Sequence, residues 1–239
     1  MAKRTVGLHR ATNDSDHVYP RMLPVGDSAI VVEFGSGIDP RLNALVYSFT
    51  DLVESSGNHA VTELIPTYRS VLVQYDPIKK RHREMVSLLK KLLTHLDEPQ
   101  PELLVTSELI ELPVVYGGVD GPDLESVAAF TGLSAEEVVE IHSGVTYRVY
   151  MIGFAPGFPY LGGLDERIAC PRLDNPRIEV PAGSVGIAGS QTGVYPNTSP
   201  GGWQLIGRTA IKLFDATQSN PSLLTPGSQV RFVPVKLHD

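Results

Sequence analysis

The polar side chains whose types and spacing could do chemistry lie among closely spaced glycines. Gln191, Thr192, Tyr195, Ser199 and Arg208 stand within the blocks PAGSVGIAGSQTGVYP and SPGGWQLIGRT. Glycine lets backbone amides approach a ligand closely, and successive N–H groups in such turns form anion-binding concavities. A guanidinium beside them can grip a carboxylate or phosphate through two parallel bonds. Gln191 and Arg208 are therefore candidate catalytic groups, with Thr192, Tyr195, Ser199 and Gly189 as candidate substrate-binding positions. The competing reading is scaffold: glycines that permit barrel corners, and an Arg208 that anchors a carbonyl-rich turn. His142 is a third catalytic candidate. It falls at a helix end, where the dipole favours an imidazolium, so it reads either as a capping histidine or as a base.

A second feature is aromatic. Phe154, Phe158 and Tyr160 lie in the irregular segment GFAPGFPYL, and aromatics so placed cannot all turn inward, which predicts an exposed patch for a partner. Trp203 follows Pro200-Gly201-Gly202 and is either a core plug or an interface anchor. Cys170 has no cationic neighbour in sequence to activate it and reads as structural.

Several chemistries are excluded by pattern. No Gly-Lys pair exists, so there is no GxxxxGK[ST] phosphate loop. Gly183, Gly186 and Gly189 form GxxGxxG followed by a turn signal, not the dinucleotide GxGxxG before a helix. HExxH, paired CxxC and GxSxG are all missing, so no metal site is expected. A net charge of −7 argues against nucleic acid and anionic membrane surfaces. No apolar run is long enough to span a bilayer. Lys3 and Arg4 precede no apolar core, and the single cysteine permits no internal disulfide, so a cytoplasmic location is expected.

The elements that must position these residues can be read from periodicity. With 42% hydrophobic and 20% charged residues in 239, the chain is globular and long enough for two domains. Residues 1–20 read as a disordered arm. Ser28–Phe34, Val61–Ile65, Ser70–Tyr75 and Leu109–Val115 read as strands. A helix opening at Asp39-Pro40 and another over about Lys79–Leu96 fall between them. The resulting β-α-β-β-α-β order predicts a ferredoxin-like lobe over residues 21–116. Pro122 and Ser134, the latter with Glu137 as a capping box, open two short helices. Beyond them come short strands such as Arg148–Ile152, Ser184–Ala188, Thr209–Phe214 and Gln229–Val235, punctuated by glycine and proline. Residues 117–239 are thereby predicted to form a closed barrel or sandwich, giving an α+β chain.

Three blocks, GFAPGFPYLGGL, PAGSVGIAGSQTGVYP and SPGGWQLIGRT, resemble the signature of one bacterial family. It is known as the B subunit of 5-oxoprolinase, kinase A inhibitor or allophanate hydrolase subunit 1, and the resemblance runs from about Leu23 to the C-terminus. It implies a cyclophilin-like β-barrel in the C-terminal lobe. It also implies two partners: a second cyclophilin-like chain of the allophanate hydrolase subunit 2 type (the C subunit of 5-oxoprolinase), and a third, barrel-type chain (the A subunit). Together these constitute an ATP-dependent 5-oxoprolinase that opens pyroglutamate to glutamate. By the same resemblance ATP with Mg binds at a site shared with, or carried by, a partner, and this chain alone is inactive. Two alternatives come with the family: inhibition of a sporulation-type histidine kinase through the barrel lobe, and a carboxyltransferase-type subunit of urea or allophanate metabolism.

Overall fold

The computed structural model describes residues 18–97 and 109–236. The chain divides into two compact units, Met1–Thr106 and Ser107–Asp239. Residues 1–17 of the expected N-terminal arm lie outside the described residues.

The first unit places two helices against a four-stranded antiparallel sheet. Its strands are β1 (Arg21–Val25), β2 (Ala29–Glu33), β3 (Val61–Pro66) and β4 (Ser70–Tyr75), in spatial order β1-β2-β4-β3. Helix α1 (Pro40–Ser55) starts where the sequence indicates: the Asp39 carboxylate accepts from the amides of Arg41 (2.7 Å) and Leu42 (3.3 Å), and Pro40 occupies the first turn. Helix α2 (His82–Leu93) opens with Glu84 accepting from the Arg81 amide at 2.9 Å and carries Lys90 and Lys91 in its last turn, complementing the helix dipole. Alternation along the strands sends Ile30, Val32, Val71 and Val73 into one core with Val46, Phe49 and Val53 of α1 and Met85 and Leu89 of α2.

One strand differs from expectation. Leu109–Val115, which reads as the last strand of this lobe, is β5 (Leu109–Tyr116), and it belongs to the barrel. The first unit takes its fourth strand from Arg21–Val25 instead, so its order is ββαββα. Pro24 obscures β1 in the sequence, yet a proline is tolerated there because β1 is an edge strand paired only with β2. Periodicity marks Leu109–Val115 as a strand, but alternation carries no information about the partner.

The second unit is a closed barrel with strand order β10-β7-β6-β13-β5-β12-β9. The remaining members are β6 (Thr146–Ile152), β7 (Pro159–Gly162), β9 (Ser184–Ala188), β10 (Gln191–Val194), β12 (Gln204–Arg208) and β13 (Gln229–Pro234). Strand β5 runs parallel to β13 from Leu109 to Val114 and meets β12 only at Val115 and Tyr116. A separate ribbon pairs β8 (Arg177–Val180) with β11 (Ser199–Gly201). Helices α3 (Leu124–Thr131) and α4 (Ala135–Ser143) contribute Val127 and Val138 to the barrel core, which contains Leu112, Val149, Val185, Ile187, Ile206 and Phe232. The α+β class and the closed barrel are those the sequence implies.

Thr209–Phe214, expected as a strand, is not one: the strand is Gln204–Arg208, and Phe214 makes only an isolated bridge to Ser222. The chain turns off the barrel at Thr209, whose hydroxyl accepts from the Ile211 amide at 3.2 Å, a local bond that replaces the ladder.

Candidate functional site

Among the polar residues of the glycine-rich blocks, Thr192 joins an enclosed network inside the barrel and Arg208 lines an open cleft at its end. The network is built on α4. Its capping box is present, with Ser134 Oγ accepting from the Glu137 amide at 3.1 Å and Glu137 Oε2 from the Ser134 amide at 2.7 Å. The last turn of this helix carries His142, which is fully buried and stacks on Phe232 with ring centroids 4.6 Å apart.

Both ring nitrogens of His142 are engaged, Nδ1 with the Tyr116 hydroxyl at 2.8 Å and Nε2 with Thr192 Oγ1 at 2.9 Å. Thr192 Oγ1 donates its own proton to the Gly186 carbonyl at 2.9 Å. Nε2 must therefore carry the imidazole hydrogen and donate it to Thr192, and Nδ1 accepts from Tyr116. This is a neutral tautomer, and burial pulls the His142 pKa down from 6.5 to about 3. The imidazolium expected at the helix end does not form. Favourable interaction with a helix terminus is worth at most about 2 kcal/mol, and full desolvation of the charge costs more. Tyr147 completes the arrangement by donating to the His142 carbonyl at 2.8 Å. Burial raises the pKa of both phenols, Tyr116 and Tyr147, so each keeps its proton.

The cleft, of ≈ 420 Å³, opens where β12 ends. Val115, Asp120, Ala182, Gly183, Pro196 and the run Arg208–Lys212 line it. Gly183 is required here: its φ is +83°, and a Cβ would lie 2.0 Å from the Thr209 carbonyl oxygen. Arg208 Nε donates to the Ala182 carbonyl at 2.9 Å, which orients the guanidinium. Its Nη1 stands 3.8 Å from Asp120 Oδ1, an ion pair too long for a hydrogen bond. Among the described residues neither terminal nitrogen of Arg208 makes a hydrogen bond. Lys212 Nζ pairs with Asp215 Oδ2 at 2.8 Å on the same loop.

The other sequence candidates are dispersed. Gln191 opposes Ala188 on β9 and Arg208 opposes Ser184, so the two candidate catalytic groups lie at opposite ends of β9, roughly 13 Å apart at strand rise. Gly189, at φ +58°, makes the β9–β10 turn at the Gln191 end and donates its amide to the Cys170 carbonyl at 2.7 Å. Thr192 belongs to the His142 network. Tyr195 hydrogen-bonds through its backbone to Ser184 and Gly183, near the cleft, but its ring is buried. Ser199 is on β11, half-buried, with its hydroxyl oxygen enclosed and without a hydrogen-bond partner among the described residues.

The expected aromatic patch does not form. Phe158 and Trp203 are buried in a core cluster with Tyr195, against which the half-buried Tyr160 packs. Gly157, at φ +82°, turns the chain so that Phe158 folds beneath the loop. Trp203 is a core plug. Only Phe154 is exposed, at 63%, held at φ +67° with its ring edge-on to Phe158 at 5.4 Å. The cleft residues that sequence reasoning misses are Asp120 and Lys212. Asp120 sits in the turn GGVDG and Lys212 in an apolar run, and neither context signals a ligand. Cys170 is buried, which raises its thiol pKa and fits the structural role.

Among the described residues no group of three or more His, Cys, Asp or Glu is placed to hold a metal ion, and no helix is long and apolar enough to cross a membrane. Residues 20–224 match the family described as carboxyltransferase domain, subdomain C and D. The chain is 52% identical over 215 residues to the 5-oxoprolinase B subunit of Haemophilus influenzae, covering 89% of this chain and 96% of that protein. It is 44% identical over 222 residues to the 5-oxoprolinase B subunit of Bacillus subtilis, covering 90% and 92% respectively. The solved structure of the K. lactis urea amidolyase superposes with a TM-score of 0.75 over 90% of this chain and 15% of that one, and at 24% identity it shows the fold alone. The chain belongs to the carboxyltransferase subdomain C and D family, among the members named for the B subunit of 5-oxoprolinase.

Proposed function

We propose that this chain is one component of an ATP-dependent 5-oxoprolinase, working with the C and A subunits of that enzyme to open pyroglutamate to glutamate. The observation that carries the reading is identity of 44% and 52% to two proteins of that name, over about nine-tenths of each. The geometry supports a contributing chain more than a self-sufficient enzyme. Arg208 and Gln191 are too far apart to act on one small substrate, and the imidazole of His142 has both nitrogens committed inside the barrel.

The overall reaction consumes two waters and one ATP, one water for the lactam C–N bond that breaks and one for the phosphoanhydride bond, giving glutamate, ADP and phosphate. A lactam is resonance-stabilised, so the nucleotide supplies the activation, and the enzyme's task is to orient the ring and stabilise developing negative charge. In this chain the group shaped for orientation is Arg208: fixed by the Ala182 carbonyl, it presents to the cleft two terminal nitrogens without hydrogen bonds among the described residues, one of them in a long ion pair with Asp120.

The test is ATP hydrolysis dependent on 5-oxoproline, measured with this chain alone and with the A and C subunits added. Turnover confined to the full mixture is the expected result. A stable three-part assembly that turns over no 5-oxoproline would sink the reading and leave histidine-kinase inhibition and urea-type carboxyl transfer as the activities to assay.

A further inference from the structure

The charges around the cleft are nearly balanced before any ligand arrives. Arg208 and Lys212 are set against Asp120 and Asp215, one carboxylate for each cation. A nucleotide polyphosphate carries several negative charges, and a site that holds one supplies a clear excess of donors, typically a glycine-rich loop with a lysine. This cleft has no such excess. What it has is one forked cation whose two terminal nitrogens are without hydrogen bonds and whose orientation is set by its own Nε. That geometry matches the two oxygens of a single carboxylate.

The remaining lining is mostly apolar, Val115, Ala182, Pro196, Ala210 and Ile211 beside Gly183 and Thr209, and the Thr209 hydroxyl already accepts from the Ile211 amide. A volume of ≈ 420 Å³ lies at the small end of the range for small-molecule sites. We infer that the Arg208 cleft is the carboxylate subsite for a small cyclic amide acid, and that the nucleotide's polyphosphate binds elsewhere in the assembly. This rests on the 5-oxoprolinase reading, and it assigns to this chain recognition of the substrate's acid group. Asp120 then has a defined effect. At 3.8 Å from Nη1 it competes weakly with the incoming carboxylate and repels it, so it lowers affinity.

The experiment is steady-state kinetics on the assembled complex with wild-type chain, Arg208→Gln and Asp120→Asn. Arg208→Gln should raise KM for 5-oxoproline about tenfold or more, the value of a charge-assisted bidentate contact, and leave KM for ATP unchanged. Asp120→Asn should lower KM for 5-oxoproline, a gain that a misfolded variant cannot mimic. Inhibition by 2-pyrrolidinone, which has the ring but no carboxylate, should be the same in wild type and Arg208→Gln. If a variant has no turnover, equilibrium dialysis of labelled 5-oxoproline and of ATP against the complex reads the same split. The inference is overturned if Arg208→Gln weakens ATP, leaves 5-oxoproline unaffected, or weakens 2-pyrrolidinone equally. Failure of the functional reading is distinguishable, because there the wild-type complex itself has no 5-oxoproline turnover.

Discussion

The interior network around His142 and the cleft around Arg208 each take residues from the glycine-rich blocks, Thr192 and Gly186 in the first and Gly183 and Arg208 in the second, yet they differ in what their donors do. Inside the barrel, each hydrogen is accounted for: Tyr116 to Nδ1, Nε2 to Thr192, Thr192 to Gly186. In the cleft, Arg208 commits one donor to the backbone and holds its terminal nitrogens open. The first arrangement ties β5, α4, β10 and β9 into one barrel wall. The second can still bind something. A polar residue in a glycine-rich motif is thus informative about function only after its hydrogen bonds have been counted.

The sharpest way to break this comparison is to remove one link of the network. Thr192→Val keeps the side chain's shape but strands the buried Nε2–H of His142 and takes one partner from the Gly186 carbonyl. A buried unpaired donor costs about 1–3 kcal/mol, and with the lost acceptor contact the barrel should lose about 2–4 kcal/mol. Trp203, the only tryptophan and buried in the barrel, reports this unfolding separately from the first unit. Denaturant unfolding followed by its fluorescence should show the loss. A change under about 0.5 kcal/mol would mean that the network is incidental to stability.

Proton linkage gives the next effect. In the folded state His142 has a pKa of about 3, whereas in the unfolded chain it returns to 6.5. Below pH 6.5 the unfolded state binds a proton that the folded state refuses, so stability is fully present above 6.5 and declines as pH falls towards 3. The phenols of Tyr116 and Tyr147, which face the ring region, stay neutral throughout and do not offset this. The limiting slope for one proton is about 1.4 kcal/mol per pH unit. Over about two pH units below 6.5 this group should therefore remove roughly 2 kcal/mol of barrel stability. His142→Gln, which retains a donor and an acceptor, should flatten that part of the curve. Parallel curves for the two proteins would show that His142 is not neutral in the fold.

How much the sequence reveals follows the range of the interactions concerned. The Asp39 cap, the Ser134–Glu137 box and the strand Ser184–Ala188 rest on local pattern, and they stand where that pattern puts them. Strand β5 is visible as a strand, but its parallel pairing with β13 joins segments far apart in the chain, and nothing local encodes it. Thr209–Phe214 resembles a strand because its apolar content does not record the turn at Thr209. Phe158 reads as exposed because Gly157's left-handed φ, which tucks it under, is a property of the folded loop. In the candidate site, Arg208 is legible as a guanidinium among glycines. Asp120 and Lys212 are not, since each reaches the cleft through a turn whose direction only the barrel fixes.

The smallest expected effect separates the two regions most cleanly, because it is a stability change near zero at the residue proposed to matter most for binding. Arg208 is partly exposed, with side-chain accessibility of 45%, and its ion pair to Asp120 is long. Surface pairs of this kind contribute about 0–1 kcal/mol. Beyond that pair, Arg208→Gln loses the bond from Nε to the Ala182 carbonyl, and that carbonyl lies beside the open cleft where water can replace the donor. Denaturant unfolding by Trp203 fluorescence should therefore match wild type to within about 0.5 kcal/mol. A loss well above about 1 kcal/mol would revive the scaffold alternative, in which Arg208 exists to anchor the Ala182–Gly183 turn and the open donors of its guanidinium are a by-product of that anchoring.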